Sequence, residues 1–401
     1  VGKTTLAQLV YNDESRIKQH FNMKAWVCVC DEFDVTRITR AILESATEKP
    51  CHLENLELLQ VSLKKELNGK KFLLVLDDVW NKNYTDWYVL KKPFSAGAKG
   101  SKIIVTTRNK DVAFIMAGGT LPFNDLKHLS DDDCWLLFEK HSFENTNTGH
   151  QPKLESIGRK IVKKCKGLPL AAKTLGGLLR CKVEEDEWED ILNSELWELP
   201  AEESDIMPAL KLSYHHLPTH LKRCFAYCAI FPKDFEFEQE DLVLLWMAEG
   251  LLQQSKGMRK EMEDLGRVYF SELLSMSFFQ QSNGYKGRFV MHDLINDLVQ
   301  CVAGDISFKL EDDRQNGTLE KARHSSYART QYDDGSKKFE AFYKVKALRT
   351  LLSLPLRGLY GDRISIPMSL QDLLPKLSFL RALSLAGYCI KELPDSIGDL
   401  K

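Results

Sequence analysis

The feature that most constrains the fold is the stretch "KKFLLVLDDVW" at residues 70–80, where five successive apolar residues run into two aspartates. A continuous apolar run is typical of a parallel strand that is buried on both faces, because helices cover both faces of such a sheet. Ligands of open α/β sheets bind beyond the carboxyl ends of the strands. We therefore predict a buried strand that places Asp77 and Asp78 beside a ligand.

The chain begins with "VGKTT", which is the last part of the phosphate-binding pattern G-x-x-x-x-G-K-[ST]. The first glycine of that pattern is expected before residue 1, so we expect the chain to be truncated here. The next residues, "LAQLVYND", have helical periodicity that stops at residues 12–13. A helix that starts directly after Gly2 offers free N–H groups and its positive dipole end to phosphate. In this arrangement Gly2 and Thr5 belong to the nucleotide-binding loop, Lys3 reaches the β- and γ-phosphates, and Thr4 holds Mg²⁺.

Two further apolar runs predict strands of the same parallel sheet. They are "MKAWVCVC" at residues 23–30 and "GSKIIVTTR" at residues 100–108. At the carboxyl ends of the strands, Asp77 is expected to anchor the Mg²⁺ shell and Asp78 to orient an attacking water. Arg108 can place a guanidinium near a γ-phosphate and so respond to its presence. Asp78 is the candidate catalytic residue, and Thr4 and Asp77 are the candidate metal ligands.

Composition narrows the classes of function. The 401 residues are 43% hydrophobic and 28% charged with a net charge of −2, so no global field attracts nucleic acid or anionic lipid. No apolar run approaches the roughly 18 residues of a membrane-spanning helix. The ten cysteines are scattered and form no C-x-x-C pair, which favours reduced, buried thiols over disulfides or a zinc site.

Eight ordered blocks resemble the NB-ARC module of plant nucleotide-binding leucine-rich-repeat immune receptors. Beyond those already quoted they include "LSDDDCWLLFEKHSF", "CKGLPLAAKTLGGLL", "CFAYCAIFPKDFEFE" and "MHDLINDL". Trp80 at the end of its block and the sequence "CFAYCAIFPKD" resemble the coiled-coil class of these receptors rather than the TIR class. The resemblance covers nearly all of residues 1–300.

The resemblance implies a multidomain α/β P-loop NTPase of the STAND type, followed by a helical domain, a winged-helix domain and the start of a leucine-rich repeat. The expected domains are the P-loop domain (1–125), the helical subdomain (126–205), the winged-helix subdomain (206–305), a connector (306–345) and the first repeats (346–401).

The later blocks also carry local signals. Ser130 is expected to cap a helix that buries Trp135, Leu136 and Phe138. Residues 278–292, "FFQQSNGYKGRFVMH", predict two short strands around an Asn-Gly turn, followed by a helix that Asp293 caps.

The resemblance implies two more nucleotide contacts, Pro169 and His292, with His292 donating to the β-phosphate of ADP. From the residues alone, Pro169 is equally a proline at a helix start, where its missing N–H is harmless. His292 is equally a structural histidine beside a helix cap. Both readings stay open at this stage.

Near the end of the chain, "LRALSLAGYCIKELP" fits the repeat pattern L-x-x-L-x-L at Leu380, Leu383 and Leu385, with Ile390 in the later apolar position. Tyr388 occupies the usual Asn or Cys position, so an asparagine ladder is not assured. One repeat cannot bury its own apolar face, so we expect the repeats to continue beyond the chain.

The resemblance implies an ADP/ATP switch, with Mg²⁺, that triggers plant defence when a pathogen effector or a modified host protein is perceived. ADP is expected to be held by the P-loop, Pro169 and His292, and exchange for ATP to release the winged helix. Hydrolysis is expected at most as a slow reset. The family implies self-oligomerisation with ATP and a cytoplasmic location, with plasma-membrane association on activation.

Two alternatives remain open. An ATP-hydrolysing STAND-type regulator would turn over rapidly and repeatedly. A winged-helix transcription regulator would bind DNA, but residues 208–300 contain ten Lys or Arg against twelve Asp or Glu, a net charge of −2. Duplex binding normally needs a basic surface, so we expect no direct contact with nucleic acid.

Overall fold

A computed structural model describes the following residues: 1–29, 33–53, 55–119, 124–143, 152–180, 182–198, 207–253, 261–282, 287–310, 321–329, 342, 345, 347–355, 364–365, 372–386 and 388–389. Within them the chain forms two compact units. The first is Val1–Lys127, and the second contains His128–Pro355 and the residues after 361.

The first unit is an α/β sheet domain. Its helices are α1 (Lys3–Tyr11), α2 (Glu14–His20), α3 (Val35–Thr47), α4 (Leu56–Leu67), α5 (Tyr84–Lys91) and α6 (Lys110–Met116). Its strands are β1 (Met23–Cys28), β2 (Phe72–Asp77) and β3 (Lys102–Val105). The described strands pair in parallel in the order β1-β2-β3, which confirms the predicted fold class for this unit.

Strand β2 lies at the centre of this sheet, and each of its six residues is buried. Side chains of α3 and α4 pack against Leu74 and Leu76 on one face of the strand. Leu73 and Val75, which point to the other face, are also buried, so burial on both faces explains the continuous apolar run. Strand β3 is more exposed, since its first two residues face solvent. Because the strands are parallel, Asp77 and the residues just after Val105 lie at the same edge of the sheet.

The second unit is largely helical. Its helices are α7 (Asp131–Phe143), α8 (Pro152–Lys164), α9 (Pro169–Leu179), α10 (Glu185–Leu192), α11 (Met207–His215), α12 (Thr219–Tyr227), α13 (Gln239–Ala248), α14 (Met262–Ser275) and α15 (Asp293–Ala303). Buried side chains from both predicted subdomains form one continuous core, which includes Trp135, Trp188, Phe225, Trp246 and Phe270. Among the described residues, no helix has the length and apolarity that crossing a bilayer requires.

Helix α7 starts as its sequence predicts. The Ser130 hydroxyl accepts a hydrogen bond from the Asp133 N–H at 3.1 Å and donates to the Asp133 carboxylate at 2.6 Å. Trp135 and Phe138 are buried as expected. The expectation for Leu136 is wrong, because its side chain is 61% exposed. Leu136 follows Trp135 by one residue, which turns it about 100° away from the face that packs on the core.

The winged-helix region carries a small antiparallel sheet, formed by β4 (Phe237–Glu238), β5 (Gln280–Gln281) and β6 (Arg288–Val290), with β6 in the middle. The predicted hairpin is therefore present, while its Asn-Gly turn lies outside the described residues. The predicted cap of α15 is wrong by one residue. His292, not Asp293, is the N-cap, and its Nδ1 accepts from the Leu294 N–H at 3.2 Å.

The last part of the second unit is a parallel sheet of order β11-β9-β8-β7, made by β7 (Ser307–Leu310), β8 (His324–Arg329), β9 (Thr350–Pro355) and β11 (Ala382–Ser384). A separate parallel pair joins β10 (Ile364–Ser365) to β12 (Tyr388–Cys389). Strands β7 and β8 fall within residues 306–345, where a connector was predicted, and β8 pairs with β7 on one side and with β9 on the other. Ile390 lies outside the described residues, and the leucine-rich-repeat start stays a prediction.

This parallel sheet packs on the winged-helix elements of its own unit. The Tyr227 hydroxyl and the Thr350 hydroxyl lie 3.2 Å apart, and the Tyr227 ring meets the His324 ring edge to face at 4.9 Å between centroids. Leu352 and Leu354 of β9 belong to the core of the helices. Sheet and winged helix therefore share buried surface.

Glu249 adds a polar link between the end of α13 and the same sheet. It is 5% exposed, and the Arg349 guanidinium lies 3.1 Å from its Oε1. Arg381 donates to the Glu249 carbonyl at 3.1 Å. The other carboxylate oxygen, Oε2, is buried and has no hydrogen-bond partner among the described residues. A buried carboxylate of this kind needs its cationic neighbour to offset the cost of removing its charge from water.

Candidate functional site

The start of α1 has the backbone that a phosphate loop requires. Gly2 is the residue before the helix and adopts φ +66°, a left-handed conformation that glycine enters without steric cost. Helix α1 then runs from Lys3 to Tyr11 and ends at Asn12, as predicted. The first N–H groups of such a helix have no partners within the helix and carry its positive dipole end. Thr5 lies in this first turn and is exposed, and its role stays a prediction.

Lys3 lies in a shared electrostatic environment with the ends of the strands. Partial burial lowers the pKa of its ammonium group, and the charge of Arg108 lowers it further. The carboxylates of Asp78 and Asp77 act in the opposite direction. The structure thus brings the lysine of the loop and the residues predicted at the sheet edge close enough to influence one another.

A hydrogen-bonded chain joins the loop to the central strand. The Thr4 hydroxyl donates to Asp77 Oδ1 at 3.0 Å, and the Thr106 hydroxyl donates to the same oxygen. Asp77 is 5% exposed, and this burial raises the pKa of its carboxyl, although both hydrogen bonds act to lower it. The nearby charge of Asp78 raises it further.

Thr106 also fixes the backbone of the second aspartate. Its hydroxyl accepts from the Asp78 N–H at 2.8 Å, and its carbonyl accepts from the Val79 N–H at 2.9 Å. Asp78 has φ +52°, a conformation that costs energy for a residue with a Cβ and that its neighbours must therefore impose. Sequence reasoning missed Thr106. Its only signal was a polar residue directly after a predicted strand.

Asp78 and Arg108 meet beside the ring of Trp80. The Arg108 Nε lies 3.7 Å from Asp78 Oδ1, and the Trp80 indole N–H donates to Asp78 Oδ2 at 3.0 Å. The Arg108 guanidinium carbon lies 5.3 Å from the centroid of the Trp80 ring. The structure therefore confirms that Arg108 and the paired aspartates are neighbours at one edge of the sheet.

The donor set suits a magnesium ion that also binds phosphate. Mg²⁺ prefers oxygen ligands and keeps several waters, so one carboxylate, one hydroxyl and phosphate oxygens suffice. Asp77 and Thr4 supply that carboxylate and hydroxyl, already within hydrogen-bond distance of each other. Among the described residues, no group of three or more His, Cys, Asp or Glu side chains could hold a metal, so an all-protein metal cage is not found there.

Pro169 and His292 belong to the second unit, each in its own local setting. Pro169 is the first residue of α9 and follows Gly167, whose φ is +69°. A Cβ at Gly167 would collide with the Leu129 carbonyl, and the Gly167 carbonyl accepts from the Leu129 N–H at 3.0 Å. These contacts fix the entry of the chain into α9. A nucleotide contact of Pro169 stays a prediction.

His292 caps α15 through Nδ1, which must be unprotonated to accept the Leu294 N–H. In the neutral ring the proton is then on Nε2, so Nε2–H is a donor. This tautomer is the one that donation to a phosphate oxygen would use. The assignment of His292 as a phosphate contact stays a prediction.

Comparison with known proteins finds two family matches along the chain. Residues 1–148 match the NB-ARC domain family, and residues 230–299 match the family described as disease resistance protein winged helix domain. The chain is 48% identical to putative disease resistance RPP13-like protein 1 of Arabidopsis thaliana over 98% of its own length. It is 44% identical to putative disease resistance protein RGA4 of Solanum bulbocastanum over 93% of its length.

A more distant match is disease resistance protein RPM1 of Arabidopsis thaliana, 29% identical over 99% of the chain. The chain spans 37% of the length of the RPP13-like protein and of RGA4, and 43% of the length of RPM1.

Proposed function

Because the chain belongs to the NB-ARC-containing plant disease resistance proteins, we propose that it forms the ADP/ATP switch of an immune receptor. The observation that carries this proposal is the hydrogen-bonded chain from Thr4 through Asp77 to Thr106, which continues to the backbone of Asp78. These hydrogen bonds connect the start of α1 to the carboxyl ends of two strands. Open α/β sheets bind their ligands at that end of the strands, which is where we propose that the nucleotide phosphate and its metal bind.

The residues of the first unit divide the work of holding a nucleotide. The N–H groups at the start of α1 and the Lys3 ammonium bind phosphate oxygens, and the open backbone of Gly2 allows close approach. Thr4 and Asp77 hold Mg²⁺, which when bound neutralises phosphate charge and fixes the orientation of the phosphate chain. In this proposal Asp78 orients an attacking water, and a slow hydrolysis resets the switch.

Arg108 distinguishes the two nucleotide states. A ligand shifts a conformational equilibrium only by its differential affinity for the two states. In this proposal a γ-phosphate meets Arg108 at the ends of the strands in addition to Lys3, and ADP lacks that group. Pro169 and His292 of the second unit complete the ADP-retaining set in this proposal.

The test is the nucleotide content of the purified full-length protein, measured by mass spectrometry of the released nucleotide. Lys3→Ala removes a charge-assisted phosphate contact and should reduce ADP retention by roughly ten- to a hundredfold. Lys18→Ala is the matched control, because Lys18 is an exposed lysine of the same unit that pairs with Glu14. Normal ADP content in Lys3→Ala would refute the phosphate-loop assignment.

A rapid ATPase remains the second candidate, since Asp78 is held beside the metal ligand Asp77. Continuous phosphate release at many turnovers per minute would favour it over a switch. The described contacts offer no reason to prefer it, because Asp78 is engaged by Trp80 and Arg108.

We further propose that a pathogen effector or a guarded host protein triggers the switch, and that the ATP-bound receptor oligomerises in the cytoplasm, with plasma-membrane association on activation. The names of the relatives support a role in disease resistance. No direct nucleic-acid partner is proposed, given the net charge of −2 over residues 208–300.

A further inference from the structure

Trp80 is a large aromatic residue that remains 46% exposed, although it lies only three residues after the buried strand β2. Its backbone position is well defined. Val79, the residue before it, is fully buried, and its N–H donates a hydrogen bond to the Thr106 carbonyl. Asn81 after it donates to Asp86 at 2.9 Å. The exposure of the indole is therefore set by the fold.

The indole makes two different contacts, one through its edge and one through its face. The edge N–H donates to Asp78 Oδ2 at 3.0 Å. The face lies 5.3 Å from the Arg108 guanidinium carbon, within the range of a cation–π interaction. Arg108 in turn faces the other oxygen of the same carboxylate, Oδ1, at 3.7 Å from its Nε. One ring thus holds both members of an ion pair.

We propose that Trp80 is a positioning residue that holds Arg108 against Asp78 and thereby biases the site toward a nucleoside diphosphate over a triphosphate. This inference rests on the proposed function, because it needs a nucleotide at the start of α1.

The bias follows from what each nucleotide requires of Arg108. The guanidinium must leave the indole face and the Asp78 carboxylate to meet a γ-phosphate, and that loss of contacts opposes triphosphate binding. ADP binding leaves the pair intact. Weakening the contact between Arg108 and Asp78 therefore raises the affinity for a triphosphate relative to that for a diphosphate, without any change in the phosphate loop.

Trp80→Leu removes both contacts and should raise the ratio of affinities, non-hydrolysable ATP analogue over ADP, by about two- to fivefold. Trp80→Phe keeps an aromatic face under Arg108 but loses the N–H bond to Asp78, so its ratio should lie between those of wild type and Trp80→Leu. Tyr88→Leu is the matched control, because Tyr88 is 51% exposed and has two lysines, Lys91 and Lys92, over its ring. Its ratio should equal that of wild type.

The affinities are measured by titration of the full-length protein with each nucleotide in Mg²⁺. Since both values come from one preparation, partial misfolding of a variant cancels in the ratio. In an Arg108→Ala background, Trp80→Leu should change the ratio no further, because the residue through which it acts is absent. An additional effect of the same size in that background would overturn the proposal.

Fluorescence gives a second readout that a merely structural role would not move. The contribution of Trp80 is the wild-type signal minus that of Trp80→Phe. It should change on addition of the ATP analogue, when Arg108 leaves the ring, and stay constant with ADP. An unchanged or lowered affinity ratio in Trp80→Leu, with both nucleotides still binding, overturns this inference alone. If wild type binds neither nucleotide, the proposed function itself has failed.

Discussion

At the scale of single residues, Thr106 supports both aspartates at the carboxyl edge of the sheet in the first unit. It donates to the buried Asp77 and accepts from the N–H of Asp78, and so supports both carboxylates. A single hydroxyl thus ties two strand ends together. Its position directly after β3 makes it an extension of the sheet rather than a residue of the loop.

We expect Thr106→Val to be strongly destabilising, although the two side chains have nearly the same size. The change leaves a buried carboxylate with one donor fewer and leaves the Asp78 N–H without its acceptor, which should cost about 1–3 kcal/mol. Urea unfolding of the nucleotide-free protein measures this loss. Thr106→Ser keeps the hydroxyl and should lose clearly less. Equal stability of the two variants would show that the hydrogen bonds contribute little.

The sequence predicted most residues of this edge, but not how they are joined. Lys3, Thr4, Asp77, Asp78 and Arg108 carry recognisable spacing or follow apolar runs, and the structure brings them together. Thr106 was missed because a threonine after a strand is common and its role depends on which strands are neighbours. The burial of Leu136 was wrongly expected because it lies about 100° around the helix from Trp135, outside the face that Trp135 and Phe138 share.

At the scale of elements, helix α15 shows how a local cap sets the chemistry of a side chain. His292 accepts the Leu294 N–H through Nδ1, which fixes the tautomer of the ring. Asp293 then occupies the first turn of the helix, where its negative charge favours the dipole. The capping role that the sequence predicted for Asp293 therefore belongs to His292.

We expect His292→Asn to separate the capping role from a nucleotide role. Asparagine is a favourable N-cap, so thermal unfolding should shift by no more than a few degrees. If the imidazole also donates to phosphate, ADP retention by the full-length protein should fall severalfold, as read by mass spectrometry. His292→Ala, which lacks both functions, should lose about 1 kcal/mol of stability as well. Unchanged ADP content in the asparagine variant would leave His292 with a capping role alone.

Elements with a strong local signal were predicted well. A few adjacent residues are enough to predict the buried strand β2, the serine cap of α7 and the proline at the start of α9. Strands β7 and β8 were not predicted, since their segment is polar and their pairing depends on β9, which comes later in the chain. Strand pairing between distant segments has no local sequence signature of this kind.

At the scale of the whole molecule, the second unit joins the winged-helix elements to a parallel sheet through buried polar contacts. His324 of β8 lies against the Tyr227 ring and within 3.3 Å of the Thr350 hydroxyl. Burial, followed by the charges of Arg349 and Arg323, lowers the pKa of His324 from 6.5 to about 4. The imidazole is therefore neutral in the folded protein at neutral pH.

This shift makes the stability of the second unit depend on pH. Between pH 6.5 and about 4 the unfolded chain binds a proton at His324 that the folded chain does not. The free energy of unfolding therefore falls as the pH falls through that window, by about 2–3 kcal/mol. Urea unfolding across this range should show the loss in wild type, and the difference from His324→Gln should shrink correspondingly toward low pH. Curves that stay parallel would contradict the prediction.

Strand β9 has a practical consequence for anyone who divides this protein into pieces. Leu352 and Leu354 fill space among the helices, so a shortened protein that stopped at Ala303 would keep every winged-helix residue and still lack part of its own interior. Each missing leucine leaves a hole of the kind that costs about 2–5 kcal/mol. A piece that extends through Pro355 would keep both leucines, so we expect it to be more stable than one that ends at Ala303.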